Sequence, residues 1–116
     1  MEGYTGKGEL LKARQFRELC RYYKSEKKWL AQLQKQREEE GDTVHLQNKC
    51  MYLQRNVEKV DRGLAKMEGL FGRNAGTMIR RTYIDRENMQ DMAKEYGIPL
   101  RTMQRRMAAW LREIDL

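Results

Sequence analysis

The sequence predicts an all-α protein, and three observations carry that expectation. Of 116 residues, 35% are charged and only one is proline. Long stretches free of glycine are dominated by Leu, Lys, Arg, Gln and Glu, all good helix formers. Apolar residues recur at spacings of three and four, the helical period, and not at two. Within that class the expected architecture is a long antiparallel helical hairpin, coiled-coil-like, over residues 1–71. A three-helix unit of helix-turn-helix type follows over 72–116.

The elements follow in order. Gly3, Gly6 and Gly8 make the first eight residues look like a frayed start. A first helix is expected over 9–39, where Phe16, Leu19, Tyr23, Leu30 and Leu33 form a stripe flanked by Cys20. Glu40-Gly41-Asp42-Thr43 reads as a stop and restart: glycine ends one helix, and Asp or Thr caps the next. In the second helix Leu46, Cys50, Leu53, Val57, Val60, Leu64, Met67 and Phe71 alternate by four and three, as a coiled-coil seam does. Helices of about 30 and 28 residues, rising about 1.5 Å per residue, are about 42 to 45 Å long. Similar lengths and a short connection argue for antiparallel packing, with facing residue numbers summing to about 82. That register sets Cys20 near Arg62 and Cys50 near Leu33, too far apart to bridge. Leu10, Leu11, Tyr22, Trp29, Met51 and Tyr52 fall outside the seam and call for a covering surface, for which a second copy is the expectation.

Gly69, Gly72 and Gly76 mark the passage between the two parts and the expected hinge. Three helices follow, at about 75–84, 88–96 and 99–113. Met78, Ile79 and Tyr83 are expected as the inner face of the first. Asn88 can cap the second, with Asp91 favouring the positive end of its dipole. Ala93 is small enough for two crossing helices to approach, Gly97 can take the left-handed conformation that ends the helix, and Ile98 plugs the gap. Pro99 fits the opening of the last helix because it has no N–H to lose there. Met92, Tyr96, Ile98, Met103 and Met107 then make a small core, and Arg101, Gln104 and Arg105 point away from it. The bland counterpart of this pattern is a helical corner that binds no nucleic acid.

The net charge is +7, which favours a polyanionic partner. Eight of the nine basic residues after Phe71 are arginines, whose planar fork suits phosphate and guanine. Catalytic and metal chemistry is thin: the chain has one histidine, His45, and one serine, Ser25. No Ser/His/Asp set assembles, and His45 with two distant cysteines is not a zinc site. Gly3-Tyr4-Thr5-Gly6-Lys7-Gly8 lacks the Ser/Thr and the preceding strand of a phosphate loop. Glu38-Glu39-Glu40 is read as a solvated helix end. The chain is therefore expected to be no enzyme and to need no cofactor or metal. No apolar run could span a bilayer and no secretory signal is visible, so a cytoplasmic location is expected.

The stretch from Thr77 to Ile98 resembles region 4 of sigma-70-type factors. That family's pattern is an apolar helix ending in an aromatic-apolar pair, a short acidic loop, a cap, an apolar-Ala pair and Gly-Ile. Tyr83-Ile84, Asp85-Arg86-Glu87, Asn88, Met92-Ala93 and Gly97-Ile98 stand at those places. With the preceding hairpin, the chain is similar to the small region-4-like regulators of phages and prophages. Pro99 departs from the pattern, standing where Ser or Thr usually caps the recognition helix. Gly97-Ile98-Pro99-Leu100-Arg101-Thr102 is also similar to transposase-type helix-turn-helices and phage terminase small subunits.

The resemblance implies a sequence-specific transcriptional regulator of double-stranded DNA, an accessory factor and not a complete sigma factor, with RNA polymerase as a conceivable further partner. It places base reading at Leu100, Arg101, Gln104 and Arg105. Backbone contacts are expected from Arg80, Arg81, Arg86, Thr102, Arg106 and Arg112. Homodimerisation through the hairpin is expected. A coiled-coil adaptor without DNA binding is the alternative from another class, and the discriminator is whether Arg101 and Arg105 are tied to Glu95 or Glu113.

Overall fold

The computed structural model describes residues 2–114, with side chains from residue 12 onward, so the packing expected of Leu10 and Leu11 lies outside the described residues. Among the described residues the chain is helical and holds no strand. The elements are α1 (Glu2–Glu40), α2 (Val44–Phe71), α3 (Arg73–Ile79) continued by a wider π-type turn (Arg80–Ile84), α4 (Met89–Tyr96) and α5 (Leu100–Leu111). The all-α expectation holds. No helix among the described residues is long and apolar enough to cross a membrane. α1 begins at Glu2, ahead of the expected Glu9, and takes Gly3, Gly6 and Gly8 into the helix. Each glycine disfavours helix by about 1 kcal/mol relative to alanine, but lengthening an existing helix needs no new nucleus.

α1 and α2 pack along each other in opposite directions. Phe16 lies against Gly63, and the Tyr23 hydroxyl donates to Asp61 Oδ1 at 2.5 Å. At the connecting end Arg37 forks onto Asp42 at 2.8 and 2.9 Å. Gly41 takes φ 93° and donates its N–H to the Arg37 carbonyl, and Thr43 Oγ1 accepts from the Leu46 N–H at 3.2 Å. The turn thus satisfies backbone groups that two helix ends would leave open.

The expected α2 stripe is buried from Leu46 to Met67, but Phe71 is 40% exposed and lies 6.1 Å from the Trp110 ring. On α1 the buried line is Ala13, Phe16, Cys20, Tyr23 and Glu26, whereas Leu19, Leu30 and Leu33 are half-buried. The buried line keeps the helical spacing of the expected stripe but is turned toward Ala13 and Cys20 and away from Leu19. Both cysteines are free and buried. Burial pushes the Cys20 thiol up to about 12, which keeps it protonated and unreactive.

A single apolar core runs from this pair into the C-terminal helices. Phe16, Val60, Leu64 and Met67 continue into Ala75, Met78, Ile79 and Ile84, then Met92, Ala93, Met103, Met107, Leu111 and Ile114. The break expected near residue 71 falls at Gly72, with φ 98°, yet buried contacts cross it. Met78 and Ile79 point inward as expected, but Ile84 is buried where Tyr83 is only half-buried. The reason is the π-type turn, in which the Asp85 N–H donates to the Arg80 carbonyl at 3.0 Å. One extra residue in the helical ladder moves the next inward position from 83 to 84.

Candidate nucleic-acid interface

The C-terminal surface is built from two short helices and the turn between them. Asn88 Oδ1 accepts from the N–H groups of Gln90 and Asp91 at 2.9 and 3.1 Å, which opens α4. α4 ends at Gly97, with φ 68°. There the Gly97 N–H donates to the Lys94 carbonyl at 3.1 Å and the Ile98 N–H to the Ala93 carbonyl at 3.0 Å. These paired bonds are the Schellman arrangement, which requires a left-handed residue at that point and explains the glycine. Pro99 stands just outside α5, with its carbonyl accepting from the Met103 N–H at 3.0 Å. No side chain caps α5. Its first N–H groups therefore remain available to an acceptor from outside.

Met103, Met107 and Leu111 turn the inner face of α5 into the core. That fixes the opposite face. Arg101, Gln104, Arg105, Arg106 and Arg112 are exposed, and none forms an ion pair or side-chain hydrogen bond among the described residues. Leu100 is half-buried against the core, and Thr102 is also half-buried. The reading positions expected from sequence therefore lie together on one helix, with Leu100 the least available of them.

The arginines before α4 have different surroundings. Arg81 is bound on both sides: its Nε and Nη2 donate to Glu87 at 2.8 and 2.9 Å, and Nη2 also donates to Glu95 at 2.6 Å. Its guanidinium also lies 5.9 Å from the centre of the Tyr96 ring. The hydrogen bonds from Arg81, helped by its charge, lower the Glu87 carboxyl from its ordinary value. Arg81 thus ties the π-type turn to α4 and is less available to a phosphate than the others. Arg80 is exposed, 5.9 Å from the centre of the Tyr23 ring. Arg86 is exposed and takes φ 59°, the left-handed region, in a non-glycine residue. Such a conformation costs of order 1–3 kcal/mol and persists only where its surroundings impose it.

Two features were not read from the sequence. Glu26 is buried on α1 with its Oε2 lacking any hydrogen-bond partner among the described residues. It sits in a cleft with Tyr22, Tyr52 and Lys59, next to a second cleft lined by Trp29, Leu33 and Tyr52. Arg14, Arg17 and Arg21 share a cleft with Arg86 and Tyr83. Their spacing of three and four was visible, but their neighbours come from the far side of the chain. Compared with known protein families, curated proteins and solved structures, the chain matches none.

Proposed function

We propose that the chain is a sequence-specific DNA-binding transcriptional regulator of the sigma-70 region-4-like kind, of phage or prophage origin. In this reading α1 and α2 form the hairpin, and α4, the Gly97 turn and α5 form a helix-turn-helix whose second helix enters the major groove. The observation that carries it is the state of the arginines on α5. Arg101 and Arg105 stand exposed with no acidic partner among the described residues, while Glu95 is bound to Arg81. An adaptor that binds only protein has no need of a row of unneutralised guanidiniums on a helix braced from behind.

Arg101 and Arg105, four residues apart, share a face with Gln104. A guanidinium can bridge guanine O6 and N7, and the glutamine amide can pair with adenine. Arg80, Arg86, Arg106 and Arg112, with Thr102 and the open N–H groups of α5, would hold the phosphates and set register. Selection from a randomised duplex library is the decisive test. The expected outcome is an enriched motif with at least one guanine that disappears from the pool selected by an Arg101→Ala/Arg105→Ala variant. Binding to every sequence alike, with no enrichment, would overturn the reading.

Dimerisation through the hairpin belongs to the same proposal. Tyr22, Trp29 and Tyr52 are each about half or more exposed and line adjoining clefts between α1 and α2, and Met51 is also half exposed. The unpartnered Glu26 oxygen beside them calls for a donor. A second copy of the same face supplies tyrosine hydroxyls and Lys59, the self-complementary arrangement of a two-fold dimer. Trp29→Glu is expected to convert a dimer to a monomer in sedimentation equilibrium. A monomeric parent at micromolar concentration would remove the dimer and leave the DNA reading intact.

A further inference from the structure

The hairpin carries a basic stripe that the reading above leaves without a role. Arg14, Arg17, Arg21 and Lys24 recur at three and four on α1 and so share one face. Lys24 Nζ binds Asp85 Oδ1 at 2.7 Å, which anchors the loop between the π-type turn and α4 against that face. On the other side of Arg86, Glu87 is held by Arg81. Both acidic residues of the loop are thus neutralised by partners elsewhere, and Arg86 stands between them in a left-handed conformation.

Arg86 faces a cleft of about 240 Å³ lined by Arg14, Arg17, Arg21, Tyr83 and Glu18. Glu18 is the one acidic residue of that lining, and it lies 3.8 Å from Arg21. Burial raises the Tyr83 hydroxyl, and the charge of Arg17 acts on it in the opposite sense. Four guanidinium groups from two distant parts of the chain therefore converge with a single carboxylate among them. Like charges held together in this way repel unless an anion joins them, and arginine forks match phosphate oxygens.

We propose that Arg14, Arg17, Arg21 and Arg86 form a phosphate-binding site through which the hairpin itself grips the DNA backbone. The inference rests on the DNA reading. Arg86 lies two residues ahead of the α4 cap, and the first helix of a helix-turn-helix is the one that crosses the backbone. The hairpin is then part of the DNA interface as well as a dimerisation element. A free polyphosphate offers the same chemistry, so two titrations are needed.

The variant is Arg14→Ala/Arg17→Ala/Arg21→Ala, and Lys28→Ala/Lys35→Ala/Lys66→Ala is the control with the same loss of charge. All six residues are exposed, and unchanged melting temperatures check that both variants fold. Against a random duplex the arginine variant is expected to bind at least about tenfold more weakly than the control, with a salt slope shallower by about 2 to 3. Its selected base motif stays the same. If duplex binding is unaffected but inorganic tripolyphosphate, followed by calorimetry, binds the parent and not the variant, the phosphate site stands and the DNA grip is overturned. If the variant matches the control in both titrations, the site itself is overturned. A parent that binds no duplex removes the DNA reading, and tripolyphosphate then decides the cleft alone.

Discussion

Replacing Phe16 by alanine is expected to destabilise the fold by about 3–5 kcal/mol, the cost of emptying a fully buried aromatic site. Phe16 has no exposed surface, and its ring fills the space that a side chain on Gly63 would otherwise take. The same contact predicts the reverse defect. Gly63→Ala forces a methyl group into the Phe16 ring and is expected to cost about 1–3 kcal/mol by overpacking. Because the two residues touch, their effects should not add. In the combination of Gly63→Ala with Phe16→Leu, the smaller side chain gives the new methyl some room, and the loss should fall short of the sum of the single changes. Urea unfolding of the parent, of Phe16→Ala, Gly63→Ala and Phe16→Leu, and of the double variant measures all of this. A Phe16→Ala loss below about 1 kcal/mol would mean that the seam between α1 and α2 is not packed as described.

Arg105→Ala is expected to flatten base preference at one position of the bound site by about 1–3 kcal/mol, or roughly five- to 150-fold between the right and wrong base. Arg106→Ala, one residue further along the same helix, is expected to weaken specific and random duplexes by the same factor and to make the salt slope shallower by about one. Both side chains are exposed and lack a partner among the described residues, so neither change should move the melting temperature much. The contrast therefore reports DNA contact and not folding. Equal losses from both variants on both duplexes would contradict the division of labour on α5.

Much of the local architecture was legible because it depends on short-range chemistry. Asn88 as a cap, Gly97 as a left-handed terminator and Pro99 at the opening of α5 are each fixed by the backbone needs of a few neighbouring residues. The apolar stripe of α2 was equally readable, since a helix shows its buried face as a period. The π-type turn was not readable. Nothing within Arg80–Ile84 distinguishes it from an ordinary helical turn, and only the packing of Ile84 into the core makes the extra residue worthwhile. Phe71 fits the seam by spacing, yet Trp110, 39 positions along the chain, stands beside it.

Charge divides in the same way. The sequence alone determined that the chain is helical, basic and rich in arginine near its end, because composition and periodicity are properties of the string itself. Which arginines remain available was decided by tertiary structure. Arg81 and Arg101 look alike in sequence, but one is clasped by Glu87 and Glu95 and the other stands clear. Arg86 lies 65 positions from Arg21, and they share a cleft because the core packs the π-type turn against α1, with Lys24 bound to Asp85 beside it. An ion pair or a shared cleft needs two groups within a few ångströms, and separation along the chain carries no record of that distance until the core has closed.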